Sequence, residues 1–167
     1  LIFQTPFKKA SISEKLKLKK ITKVLCNSNF TKNFIDKSYG VKSTVLYPPV
    51  DLAGFHPAKK EKIILSVGRF FAPSHPKNQE LLIDVFKKLS PKLSGWKLVL
   101  VGGVLREEEN KFSTLVKTHA SKNIEITGNV KSDALSDLFA KASIYWHATG
   151  YGFDLENDPQ KAEHFGI

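Results

Sequence analysis

Lys62-Ile63-Ile64-Leu65-Ser66-Val67-Gly68-Arg69, resumed after a break by Lys77-Asn78-Gln79-Glu80-Leu81-Leu82-Ile83-Asp84-Val85-Phe86-Lys87-Lys88-Leu89, is the stretch that decides how this chain folds. Its first part is short, β-branched and apolar on both faces, as a buried parallel strand must be. In its second part Leu81, Leu82, Val85, Phe86 and Leu89 recur at helical spacing. The reading is strand, loop and crossover helix. Such a loop leaves the carboxyl end of the strand, where the next helix presents N–H groups without intrahelical partners, so anions are favoured there. Arg69 and Lys77 bracket that loop.

Working outward, the same alternation continues. Strands are expected at 62–67, 97–101, 124–127 and 144–148, and helices at 78–89, 107–120 and 132–142. Phe112, Leu115 and Val116 give the second helix its apolar stripe, and Leu135, Leu138, Phe139 and Ala142 give the third. Strands alternating with helices imply an α/β fold, a parallel sheet with helices on both faces. If the strands take the common doubly wound order 3-2-1-4, the first lies beside the fourth and ligands bind outside their carboxyl ends. The first strand then delivers Gly68, Arg69 and Lys77 to that edge, and the third delivers Thr127, Gly128, Asn129 and Val130. The segment after the fourth carries His147, Thr149, Gly150, Gly152 and, further on, Glu163-His164-Phe165-Gly166.

Residues 51–61 are rich in Gly, Pro and Lys and read as a linker, separating residues 1–50 from a domain over 62–167. Residues 1–23 hold seven lysines among Ile12, Leu16, Leu18 and Ile21, and a helix is expected from about Ser13, with Ser13 as its cap. That run fits contact with anionic lipid, at about 1 kcal/mol per basic residue near such a surface. A solvated helix face is the simpler reading of it. A short strand over 24–26 leads to the capping side chains Asn27, Ser28 and Asn29, then to a helix with Phe30, Phe34 and Ile35 inward, ending near Gly40. A strand over 44–47 is stopped by Pro48 and Pro49, since proline cannot donate to a ladder.

With 41% hydrophobic and 25% charged residues in 167, the chain can bury a core. It holds no apolar run of the roughly 20 residues that a bilayer crossing requires. Cys26 is its one cysteine, which rules out an intrachain disulfide and makes a reducing cytoplasm the simpler compartment. A formal charge of +10 invites nucleic acid, an anionic membrane or a phosphorylated ligand without choosing among them. With no methionine, and with Ile167 directly after Phe165-Gly166, the chain is expected to be a piece of a longer protein.

A guanidinium and an ammonium beside a helix N-terminus suit a phosphate or diphosphate. A carboxylate beside them suits sugar hydroxyls, so Arg69, Lys77 and Glu163 together hint at a nucleotide sugar. Spacing alone also fits ordinary solvated charges. The loop matches neither G-x-G-x-x-G nor G-x-x-x-x-G-K-[ST]. Gly102-Gly103 reads as a tight turn. The histidines and Cys26 show no metal-ligand spacing, and His147 and His164 read as hydrogen-bonding or shape residues.

Four segments in order resemble one family. They are Cys26-Asn27-Ser28-Asn29-Phe30-Thr31-Lys32; Leu46-Tyr47-Pro48-Pro49-Val50-Asp51 with Phe55 and Pro57; Ser66-Val67-Gly68-Arg69-Phe70 with Lys77-Asn78; and Glu163-His164-Phe165-Gly166-Ile167. Together they are similar to the group-1 family of retaining glycosyltransferases. The resemblance implies the GT-B fold, two facing Rossmann-like domains, with residues 1–50 ending the acceptor domain and 62–167 forming most of the domain that binds the nucleotide-sugar donor. It implies that Arg69 and Lys77 hold the donor diphosphate and that Gly68 lets backbone approach it. Glu163 would contact the donor sugar, Phe165, Gly166 and Ile167 would face sugar and phosphate, and Gly128, Asn129 and Val130 would lie by the base, with His147 counted among the donor-binding residues. The implied activity is transfer of a hexose, mannose being one candidate, from a nucleoside-diphosphate sugar to a polysaccharide, glycolipid or lipid-linked acceptor, in the cytoplasm or at the inner face of a membrane. No metal or other cofactor is implied, and no nucleic acid. The second glutamate of the family signature falls beyond Ile167, so this chain alone is expected to bind donor weakly and transfer nothing. A non-catalytic nucleotide- or nucleic-acid-binding module is the alternative that the charge leaves open, although Phe86, Phe112 and Phe139 fall on helical core stripes rather than on an exposed sheet.

Overall fold

The computed structural model describes residues 1–71 and 76–166. The chain divides into two compact units, Leu1–Asp51 with Thr149–Ile167, and Leu52–Ala148. Residues 149–167, read from sequence as part of the second domain, therefore group with the first unit.

In the first unit β1 (Ile2–Phe3), β2 (Leu25–Cys26) and β3 (Thr44–Val45) form a parallel sheet in that order. Helix α1 (Ile12–Leu18) and helix α2 (Asn29–Tyr39) connect them. Their core is Leu18, Val24, Cys26, Ile35 and Tyr39. Strand β1 is too short to leave a periodicity in the sequence, and β3 stops at Val45 rather than at 47.

The α1 cap is Ser11, not Ser13. Ser11 Oγ accepts the Glu14 N–H while a Glu14 carboxylate oxygen accepts the Ser11 N–H, so two otherwise orphaned donors are satisfied reciprocally. Ser28 caps α2 by accepting the Thr31 N–H at 3.1 Å, and Gly40, at φ 68°, ends it in the left-handed region that costs glycine least. The inward face of α2 is Thr31, Ile35, Ser38 and Tyr39. Phe30 and Phe34 were expected inward but are half-buried and pack on each other, ring centroids 5.1 Å apart, because residues four apart share a helix face.

The second unit is β4 (Glu61–Val67), α3 (Gln79–Leu89), β5 (Lys97–Val101), α4 (Glu109–His119), β6 (Ile124–Thr127), α5 (Ser132–Lys141) and β7 (Ala142–Tyr145). All strand pairs are parallel and the order is β6-β5-β4-β7, the expected 3-2-1-4. Alternate side chains face opposite ways, as strand geometry requires. Ile64, Leu98, Leu100, Ile124 and Ile126 pack under Leu82, Ile83 and Phe86 of α3 and Leu115 of α4. Ile63, Leu65, Val99 and Val101 pack on the other face against Leu135, Leu138 and Phe139 of α5. Burying a side chain such as Phe86 contributes about 2 to 3 kcal/mol.

Helices α3 and α4 thus cover one face and α5 the other, so the winding reverses between β4 and β7. Two elements of this unit differ from expectation by two residues or more. Strand β7 starts at Ala142, straight out of α5, and its last ladder pair is Leu65 with Tyr145; helix α4 starts at Glu109, after a 3-10 turn over Arg106–Glu108. Among the described residues no helix is long and apolar enough to cross a membrane.

Candidate functional site

The reversal between β4 and β7 is where a doubly wound sheet leaves a crevice at its carboxyl edge. The backbone leaving β4 is fixed there from three sides. Gly68 N–H donates to the Val101 carbonyl at 2.8 Å and Phe70 N–H to the Gly103 carbonyl at 2.9 Å, so the chain stays hydrogen-bonded to the β5 strand past the formal end of β4. Gln79 Nε2 donates to the carbonyls of Gly68 and Arg69, each at 3.2 Å, pinning the turn onto the first residue of α3. Tyr145 Oη donates to the Val67 carbonyl at 3.2 Å from the β7 side.

Two glycines permit this closeness. A Cβ on Gly102 would sit 1.9 Å from the Gly68 carbonyl oxygen. Gly102 is therefore required for close approach of two backbones, a different reason from the tight turn read in the sequence. A Cβ on Gly68 would sit 2.8 Å from Lys77 Cγ. The aliphatic stem of Lys77 lies on the bare Gly68 backbone, which holds this half-buried lysine at the end of β4 although eight residues separate them.

Asn78, at the N-cap of α3, adopts φ 54°, ψ 42° and makes no side-chain cap. Its Nδ2 instead donates to the Ala148 carbonyl at 2.6 Å. Asparagine tolerates the left-handed region better than most residues. The consequence is electrostatic: the Asn78 side chain does not cap the N–H groups of the first turn of α3, which lie at the positive end of the helix dipole.

The residues singled out in the sequence fall into two groups. Gly68, Arg69 and Lys77 lie together between β4 and α3, with Arg69 exposed. Gly128 follows β6 against the Phe112 ring, 3.7 Å from the position of its would-be Cβ, and the side-chain oxygen of the exposed Asn129 is 3.3 Å from that of Gly103. Val130 packs into the core on the α5 side. His147 follows β7, exposed, its ring stacked on Tyr145 at 6.4 Å between centroids. Glu163, Phe165 and Gly166 belong to the other unit, where the Phe165 ring lies 5.9 Å from that of Tyr47. Ile167 lies outside the described residues.

Sequence reasoning missed the positioning residues Asn78, Gln79 and Tyr145. An asparagine directly before a helical stripe was the available signal for the first. A cleft of about 550 Å³ between α3 and α4 shares Lys77 and Asn78 with this site. Among the described residues no group of three His, Cys, Asp or Glu side chains could hold a metal ion.

A family model described as "Glycosyl transferases group 1" matches residues 52–167. The chain belongs to that family. A curated relative from Dictyostelium discoideum, a GDP-Man:Man(3)GlcNAc(2)-PP-Dol alpha-1,2-mannosyltransferase, is 30% identical over 168 aligned residues, covering 86% of this chain and 30% of the relative. The chain thus spans about a third of that relative's length. Two solved structures share the fold: a crystal structure of TarM, with TM-score 0.63 and 15% identity over 96% of this group 1 chain and 34% of that one, and a GtfA/B complex, with TM-score 0.57 and 14% identity over 90% and 31%. The α/β architecture expected from the alternation of strands and helices, and from the resemblance to the GT-B enzymes, is the one found.

Proposed function

We propose that this group 1 chain carries most of the donor site of a retaining glycosyltransferase that moves a mannosyl residue from GDP-mannose to a hydroxyl of a lipid-linked oligosaccharide. The supporting observation is the β4–α3 turn, where Lys77 is laid along Gly68, Arg69 is exposed, and the first turn of α3 has no side-chain cap. Two cations and a helix N-terminus at one point suit a diphosphate better than any neutral ligand. As the bond from the sugar C1 to the diphosphate oxygen breaks, negative charge grows on the leaving group, so Arg69 and Lys77 interact more strongly with the transition state than with bound donor. In this reading they neutralise that charge without a metal ion, Glu163 holds donor-sugar hydroxyls, and Gly128 to Val130 flank the base. Mannose, guanine and the lipid-linked acceptor are suggested by the name of the Dictyostelium relative.

Calorimetric titration of the protein with GDP, GDP-mannose, UDP-glucose and UDP-N-acetylglucosamine tests the reading. GDP and GDP-mannose should bind, and Arg69→Ala should weaken both. Binding of the uridine compounds alone would move the assignment to another donor, and absence of binding by any nucleoside diphosphate would overturn it. The aromatic side chains do not favour an RNA interface: Phe86 is 1% exposed, and Phe112 packs edge-on against Phe70 at 5.0 Å.

A further inference from the structure

Gln79 is the first residue of α3 and is half-buried. Its side-chain nitrogen carries two hydrogens, one for each of two neighbouring carbonyls: Nε2 is 3.2 Å from the Gly68 oxygen and 3.2 Å from the Arg69 oxygen. Those oxygens belong to the two peptide units that flank the Arg69 Cα. Because peptide units are planar, the orientation of that pair sets φ and ψ of Arg69, and with them the direction in which its Cβ leaves the chain. The same stretch is held by β5 through Gly68 N–H on the Val101 carbonyl and Phe70 N–H on the Gly103 carbonyl, and by the Phe70 ring, 2% exposed in the core. In an extended strand successive carbonyls point to opposite sides. Here both reach one nitrogen, so the chain turns at Arg69 itself, and Gln79 meets that turn from α3.

Any good helix former would serve the first position of α3 as a helix. What calls for a long, donor-bearing side chain there is the pair of carbonyls. The Arg69 side chain is exposed while the backbone that carries it is gripped from two sides. We propose that Gln79 is a positioning residue for the transfer: without touching the donor, it fixes the Arg69 backbone so that the guanidinium is aimed at the departing diphosphate. The inference rests on the donor-site reading above and adds to it the group through which the cation is held. Displacing a catalytic group by about 1 Å costs up to about 10²-fold in rate. Since Gln79 acts through Arg69, loss of its hydrogen bonds costs no more turnover than loss of Arg69 itself.

A double-mutant cycle on the whole enzyme, with GDP-mannose as donor, tests it. Gln79→Met keeps the length and removes the donors; turnover should fall about 10- to 100-fold while the donor Michaelis constant changes by less than about threefold. In the Arg69→Ala background the same change should alter turnover by less than about threefold, because the group being positioned is gone. Turnover is scaled to the folded fraction from thermal unfolding, so a stability loss common to both backgrounds does not enter the comparison. If Gln79→Met does not fold, Gln79→Asn, whose carboxamide stops one methylene short of the pair, goes through the same cycle with the same expected coupling. Unchanged turnover in the single variant, or an equal loss in both backgrounds, would overturn the inference and leave the donor reading standing. The first outcome makes Gln79 idle, and the second makes it a structural clamp or a donor contact in its own right. Arg69→Ala without effect on turnover would bring down the donor reading, and this inference with it.

Discussion

Asn78 Nδ2 and the Ala148 carbonyl oxygen are 2.6 Å apart, joining the N-cap of α3 to the segment just beyond β7 across the point where the sheet reverses its winding. Seventy positions of chain separate the two residues. The bond has a double effect: it fixes one wall of the crevice to the other, and it removes the side chain that would otherwise cap α3. Replacing Asn78 by Ala leaves a part-buried carbonyl without its donor and puts alanine into a left-handed conformation. A loss of about 2 to 3 kcal/mol is expected from the two effects together. Urea unfolding should show a lower midpoint with an unchanged slope, and donor affinity should fall with it.

Gly102→Ala should be among the most damaging single-methyl substitutions in the chain. The new Cβ would meet the Gly68 carbonyl at 1.9 Å, so backbone must move on one strand or the other. Overpacking of this kind costs about 1 to 3 kcal/mol and sometimes more. Gly103→Ala, whose nearest neighbour is the movable Asn129 side chain at 3.3 Å, is the matched control and should be much milder. Comparing the two by chemical denaturation separates the requirement for close approach from a general preference for glycine in the turn.

If Arg69 neutralises the departing diphosphate as proposed, Arg69→Ala in the whole enzyme should lower turnover by about 10²- to 10³-fold, the usual consequence of removing one preplaced electrostatic partner of a developing charge. The donor Michaelis constant should change much less. An unchanged turnover number with a raised Michaelis constant would mean that Arg69 only anchors the donor. Treatment with a chelator should leave turnover unaltered if Arg69 and Lys77 together neutralise the diphosphate.

Asp36 supplies a pH-dependent part of the stability of the first unit. Burial works against its carboxylate, but the Lys32 ammonium and the Ser43 backbone N–H, 2.8 Å from Oδ1, outweigh burial and hold its pKa below the ordinary value. A depressed folded-state pKa means that the stabilisation is complete above the unfolded value of about 3.9 and is lost as pH falls through the folded value. Asp36→Asn should therefore flatten the stability profile below about pH 4. Melting temperatures of the two proteins across that range should converge toward acid.

Cys26 should be inert in the native state. It is fully buried, burial pushes its thiol up, and the Ser43 hydroxyl only partly offsets this. Modification by a thiol reagent should follow global unfolding and accelerate only with denaturant.

What the sequence by itself determined is whatever local repetition can encode. Apolar runs such as Ile63 to Val67 and Leu98 to Val101, separated by helical stripes, specify the parallel α/β sheet; the first strand's place beside the fourth was one of the common winding orders, and the structure selects it. The place of Arg69 and Lys77 at the sheet edge was legible because the loop after the first strand must lie at its carboxyl end. Tertiary structure alone decided what depends on partners distant in the chain. No local pattern says that Asn78 turns to Ala148 instead of capping its helix, or that Lys77 is laid along Gly68. Nor does any say that Gly102 is small because a second backbone passes within contact of it, or that residues 149–167 group with the first unit. Periodicity records which side of an element faces apolar neighbours; hydrogen bonds and close approaches between segments some seventy positions apart, as for Asn78 and Ala148, are fixed only when packing brings those segments together.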